Sequence, residues 1–187
     1  MEIYLIRHTT PDVEQGVCYG QTDLDVVSTF ENEYERIRPF LENISLNRVY
    51  SSPLMRCAKL ANKFSDNIIY DDRLKEMSFG SWEMKKWNEI DQEKLNHWMK
   101  DFVHQEPPEG ESFKTLQDRV TSGWKEIINV ENKEVNAIFT HGGVIRSIVC
   151  DLLDIPLKKA FQFHLDYGSV TKVAANKWGL RVEYLNR

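Results

Sequence analysis

The 187-residue chain has only three cysteines, Cys18, Cys57 and Cys150, and none belongs to a CxxC pair. An odd number of widely spaced thiols argues against a disulfide framework or a cysteine zinc site and suits a reducing compartment. No hydrophobic run approaches the roughly 20 residues needed to cross a bilayer. Met1 runs straight into Glu2-Ile3-Tyr4-Leu5-Ile6, with no basic segment leading into a long apolar stretch. A cytoplasmic chain without a membrane partner is expected. Basic runs are also missing: 24 Lys and Arg stand against 29 Asp and Glu, a net charge of -5. Nothing in that balance attracts nucleic acid, so an anionic ligand would have to be held by local charge. HExxH spacing, Asp-rich loops, internal repeats and low-complexity tracts are absent, and neither a metal nor another cofactor is expected.

What is present is ordinary globular material, 41% hydrophobic and 28% charged. The length suits one domain spanning residues 1–187. Strand-like and helix-like apolar periods alternate, as in an α/β chain. Strands are predicted at Ile3 to Ile6, Arg48 to Ser51, Asn67 to Tyr70 and Glu134 to Phe139. Helices are predicted at Thr29 to Asn43, Pro53 to Phe64, Ser112 to Val130 and Gly142 to Leu153. Ser169 to Ala175 and Leu180 to Tyr184 read as an antiparallel hairpin. The Trp- and Lys-rich stretch Trp82 to Val103 looks helical, giving a helical insert at about 71–110, closed by Pro107-Pro108-Glu109-Gly110.

Three strand ends carry reactive or cationic groups. Arg7-His8 follows the first strand, and open α/β sheets gather ligands at the carboxyl ends of their strands. Ser51-Ser52-Pro53-Leu54-Met55-Arg56 brings a second guanidinium one turn into a helix. Thr140-His141-Gly142-Gly143 places an imidazole and two glycines at a helix start, where backbone amides receive anions. Each segment alone has a plain structural explanation, such as a surface arginine or a capping histidine. Together they converge on a phosphate-sized anion, because two guanidinium forks hold phosphoryl oxygens in fixed geometry without a metal.

These segments, with Glu76 in Leu74-Lys75-Glu76-Met77-Ser78-Phe79-Gly80 and the run Pro108-Glu109-Gly110-Glu111-Ser112, resemble the histidine phosphatase (phosphoglycerate mutase-like) superfamily across nearly the whole chain. The resemblance implies a three-layer α/β/α fold with a mostly parallel central sheet and a helical insert. It also implies a small-molecule phosphate monoester as substrate. His8 would be the nucleophile that becomes phosphorylated, Arg7, Arg56 and His141 would clamp the phosphoryl group with help from Gly142, and Thr22 would contact substrate. Glu76 would be the proton donor, with Glu83 its nearest rival. Two cations flanking His8 should keep it neutral and nucleophilic. Thr9 and Thr10 stand where the family commonly has Gly followed by Glu or Gln. The run Arg7 to Val13 followed by Gly16 to Asp23 is most similar to α-ribazole phosphatases, which remove a 5′-phosphate late in cobalamin assembly. A broad-specificity or sugar-phosphate phosphatase, a phosphoglycerate mutase and a non-catalytic phosphate-binding module remain alternatives. Oligomeric state is not legible.

Overall fold

A computed structural model describes residues 1–128 and 134–187. Six strands form one sheet: β1 (Glu2–Arg7), β2 (Arg48–Ser51), β3 (Ile68–Tyr70), β4 (Val135–Thr140), β5 (Val170–Asn176) and β6 (Gly179–Tyr184), in the spatial order β3-β2-β4-β1-β5-β6. β3, β2, β4 and β1 run parallel, whereas β5 pairs antiparallel with β1 and β6 antiparallel with β5.

Successive strand side chains point to opposite faces, and β1 divides the core accordingly. Ile3 and Leu5 pack with Ile138 and Val173 beneath helices α4 (Phe113–Ile127) and α5 (Gly142–Leu152). Tyr4 and Ile6 pack with Ala137 and Phe139 beneath α1 (Phe30–Ile37) and α2 (Met55–Ala61). A strand buried on both faces reads as a continuous apolar run, as Ile3-Tyr4-Leu5-Ile6 does. Each fully buried Leu or Ile in these layers contributes about 2 kcal/mol of hydrophobic stabilisation. The expected three-layer α/β/α arrangement is the observed one.

Several boundaries differ for physical reasons. The helix expected from Thr29 ends at Ile37 and tightens into a 3-10 turn at Arg38–Phe40, because Pro39 supplies no amide for α-helical bonding. Pro53 precedes α2 instead of opening it, and the Asp23 carboxylate accepts the Met55 amide at 2.6 Å. Val130, the expected end of α4, lies outside the described residues.

The largest departure concerns Trp82 to Val103. Only α3 (Gln92–Lys100) is α-helical there, opened by Asp91, whose carboxylate accepts the Glu93 and Lys94 amides. The preceding residues form an irregular wrap around Trp82, Trp87 and Trp98, and Met84 takes a positive φ of 65° that no α-helix accommodates. The tryptophans therefore form a small core of their own. Between 71 and 110 the structure is held instead by loop-to-loop contact: Gly80 (φ +53°) and Gly110 press against each other's segments, where a side chain on either would overlap backbone atoms. That contact anchors the loop carrying Glu76. No helix among the described residues is long and apolar enough to cross a membrane.

Candidate active site

The strand order determines where the site lies. β1 is a direct neighbour of β4, and β4 of β2, so Arg7-His8, Thr140-His141 and Ser51-Ser52 emerge side by side at the carboxyl edge. Arg7 pairs in register with Thr140, and Ser51 with Phe139. Residues more than 80 apart in sequence thus come into contact: the His8 and His141 rings lie edge to face, with centroids 5.0 Å apart.

His8 is 1% exposed. Its Nδ1 lies 2.7 Å from the Thr9 carbonyl oxygen. A carbonyl only accepts, so Nδ1 carries the ring proton and Nε2 keeps its lone pair. Burial, followed by the charges of Arg56 and Arg7, holds the imidazole well below its ordinary pKa. Neutrality and tautomer together leave His8 as an available nitrogen nucleophile. Thr9 creates no geometric difficulty in this turn, since positive φ among the described non-glycine residues is confined to Met84, Glu109, Asp154 and Asn186. Thr10 is fixed by Glu33, which accepts its amide at 2.8 Å and its hydroxyl at 3.1 Å.

Arg56 is fully buried and donates to the carbonyl oxygens of Gly20 (2.7 Å) and Thr22 (2.9 Å). Arg7 donates to the Leu165 carbonyl. Among the described residues neither guanidinium pairs with a carboxylate, and the Nε of each is buried without a hydrogen-bond partner. Burying a cation costs several kcal/mol unless it is compensated. Arg56, fully buried, and Arg7, partly buried, therefore make a strong anion receptor at one strand edge. His141 is fully buried; a 2.8 Å hydrogen bond joins its Nε2 to Ser52 Oγ, and burial, then Arg56, His8 and Arg7, depress its pKa.

Glu76 and Glu83 separate by their contacts. Glu76 Oε1 accepts the Met77 amide (2.9 Å) and Oε2 the Gly143 amide (3.1 Å), which seats the carboxyl at the start of α5 beside His141. A Cβ on Gly143 would overlap Glu76 Oε1 and push the carboxyl out of this seat. Glu83 faces the Gly20–Thr22 loop instead and receives the amides of Gln21, Thr22 and Phe79 together with the Thr22 hydroxyl. Burial works against its ionisation, but the Thr22 hydroxyl and these amides outweigh it and lower its pKa. Glu83 thus braces the loop whose carbonyls hold Arg56. The Thr22 hydroxyl is committed to Glu83, and it is the Thr22 carbonyl that serves the site, through Arg56.

Several neighbours carried no local sequence signal. Tyr167 stacks on Arg7 (4.0 Å) and lies 5.5 Å from the His8 ring, Tyr19 packs on Arg56 at 5.5 Å, and the two tyrosine hydroxyls meet at 2.5 Å. Such cation–π contacts orient guanidiniums without neutralising them. Arg119 donates to the Glu76 carbonyl and forms a 2.6 Å ion pair with Glu111, which also accepts the Ser78 amide. His97 is exposed, His104 pairs with Asp101, and the exposed His164 pairs with Asp166.

The depressed histidine pKa values have a thermodynamic consequence. Below pH ~6.5 the unfolded chain protonates His8 and His141 while the folded state resists, so the unfolded state binds more protons and stability is lost as the pH is lowered. Above pH ~6.5 both states hold neutral rings and this contribution is constant. Each histidine adds a slope of about 1.4 kcal/mol per pH unit in the acid window. Urea unfolding at pH 6 and 5 should therefore show a shallower loss of stability in His8→Gln than in the unsubstituted protein; equal slopes would contradict burial of a neutral His8.

Comparison with known proteins agrees with this geometry. The family model described as histidine phosphatase superfamily (branch 1) matches residues 3–187. The chain is 30% identical over 194 residues to a provisionally named phosphoserine phosphatase 2 of Hydrogenobacter thermophilus, covering 99% of this chain and 95% of that one. It is 24% identical over 200 residues to the adenosylcobalamin/alpha-ribazole phosphatase of Escherichia coli, covering 100% and 96%. Among solved structures, the alpha-ribazole phosphatase of Shigella flexneri superimposes with a TM-score of 0.89 at 24% identity, over 100% of this chain and 96% of that one.

Proposed function

The chain belongs to the histidine phosphatase superfamily and is a phosphatase, and we propose that it hydrolyses small phosphomonoesters through a phosphohistidine formed on His8. The observation that carries this reading is a neutral, tautomer-fixed imidazole between a fully buried guanidinium, Arg56, and a partly buried one, Arg7, neither with a carboxylate partner among the described residues. In the first step His8 Nε2 attacks phosphorus, the bond from phosphorus to the ester oxygen breaks, and Glu76 gives its proton to the departing alkoxide. In the second, the Glu76 carboxylate takes a proton from water, the hydroxide attacks phosphorus, and the nitrogen–phosphorus bond breaks to release phosphate. Arg7, Arg56 and His141 hold the three non-bridging oxygens in both steps, with the Gly142 amide beside them, so charge is stabilised by groups already in place. Splitting one displacement into two in this way suits a nucleophile stronger than water.

Two leaving groups have support. The Arg7 to Asp23 stretch and the similarity to α-ribazole phosphatases favour α-ribazole 5′-phosphate, and with it a place in cobalamin assembly. The more similar phosphoserine phosphatase favours a phosphorylated hydroxy amino acid. Phosphoglycerate mutase-like transfer and broad specificity are the remaining outcomes. Relative kcat/KM on α-ribazole 5′-phosphate, phosphoserine, 3-phosphoglycerate and fructose 2,6-bisphosphate decides among them. Hydrolysis of at least one is expected; binding without turnover across the whole panel would overturn the catalytic reading.

A further inference from the structure

The reaction above leaves Arg146 without a task. Arg146 lies on α5 one turn after Gly142, and its side chain folds back toward the start of the helix. A Cβ built on Gly142 would lie 2.8 Å from Arg146 Nη1 and 3.4 Å from Arg7 Nε, so two guanidiniums flank one glycine. The Arg146 guanidinium rests on Phe161, 5.0 Å from the ring centroid, and 6.0 Å from that of Phe163. Among the described residues Arg146 makes no hydrogen bond or ion pair, and its Nε, like that of Arg7, is buried and unpartnered. Burial, then the charge of Arg7, pulls its pKa below the ordinary value, and Glu76 offsets this only in part. Like charges held together in a partly dehydrated place are costly, and an anion is what relieves them.

The phosphoryl group attacked by His8 is already provided for by Arg7, Arg56 and His141 in the reaction proposed above. The cations acting on His8 are Arg56 and Arg7, whereas Arg146 interacts with Arg7 and Glu76. Arg146 Nη1 lies against Gly142 and the Glu76 carboxylate against the adjacent Gly143, so Arg146 stands on the side of Glu76, the residue assigned to protonate the departing oxygen. Phe161, 62% exposed, extends this wall toward solvent, where the alcohol portion of a substrate would lie. From this juxtaposition we infer that Arg146 reads a second anionic group, a carboxylate or a phosphate, on the leaving alcohol, so that the preferred substrates are phosphomonoesters with two anionic centres. The inference rests on the His8 and Glu76 roles proposed above. It ranks α-ribazole 5′-phosphate, whose alcohol portion carries no second anion, below phosphoserine or phosphoglycerate.

Two matched pairs test it, each differing by the anionic group: phosphoserine against phosphoethanolamine, and glycerol 1,3-bisphosphate against glycerol 1-phosphate. A charge-assisted, two-pronged contact gives a preference of about 10- to 100-fold in kcat/KM. The unsubstituted protein should show that preference in at least one pair, which also tells carboxylate from phosphate. In Arg146→Met, which keeps the length and loses the charge, the ratio within that pair should fall at least about tenfold. A structural or phosphoryl-clamping role would lower both members together and leave the ratio intact. No preference in either pair, or an unchanged ratio in Arg146→Met, overturns the inference. Hydrolysis of p-nitrophenyl phosphate, and its loss in His8→Ala, reports separately on the underlying reaction.

Discussion

Replacing His8 by alanine is expected to lower kcat/KM for every phosphomonoester by on the order of 10⁴-fold or more, the scale seen when a covalent nucleophile is removed. The loss should be uniform across substrates, because the residue acts on phosphorus and not on the alcohol. Binding should survive: Arg56 is held by the Gly20 and Thr22 carbonyls and Arg7 by that of Leu165, none of which depends on the imidazole. Inorganic phosphate should therefore still protect the variant against thermal unfolding. Retained hydrolysis in a folded His8→Ala protein would remove the nucleophile assignment altogether.

The second large effect concerns the proton. Glu76→Gln keeps the side chain's shape and abolishes its acidity, and general acid catalysis contributes about 10²- to 10⁴-fold. The expected signature is a dependence on the leaving group. Alkyl esters such as phosphoserine, whose departing alkoxide needs a proton, should lose that full factor in the phosphorylation step. With p-nitrophenyl phosphate, whose phenolate departs unaided, phosphorylation should slow far less. Glu83→Gln should behave differently. It would turn one of the two acceptor oxygens into a donor, so that either the Gln21 and Phe79 amides or the Thr22 amide and hydroxyl lose their acceptor, which loosens the Gly20–Thr22 loop and weakens both classes of ester alike through Arg56. A leaving-group dependence appearing in Glu83→Gln and not in Glu76→Gln would reverse the assignment.

The two carboxylates also mark where sequence reasoning stops. Glu76 and Glu83 lie in one loop seven residues apart, and neither spacing nor composition separates them. What separates them is three-dimensional: Gly143, at the start of α5, leaves room for one, and the Gly20–Thr22 loop occupies the other. Arg7, His8, Arg56 and His141 could be grouped from the sequence because each lies at a strand end or within the turn that follows one, and a parallel sheet aligns such ends. Ser52, Arg119 and Tyr167 could not, because their roles depend on partners such as His141, Glu76 and Arg7 that are distant in the chain. The fold's layers could be read from alternating apolar periods. The Trp82 to Val103 stretch misled for the converse reason: its aromatic residues turn inward upon one another, and that packing overrides the helical propensity of the lysines and glutamates between them. Thr22, expected to contact substrate, lies in the loop around the site with its hydroxyl bonded to Glu83.

The most direct measurement combines these substitutions. Glu76→Gln mixed rapidly with p-nitrophenyl phosphate should form phosphoenzyme readily and hydrolyse it slowly, since water then lacks its base. A burst of about one p-nitrophenol per chain is expected, and quenching in alkali should recover a phosphate that is stable to base, labile to acid and attached to the peptide bearing His8. Phosphate found on another residue, or a burst that persists in His8→Ala, would contradict covalent catalysis by this histidine.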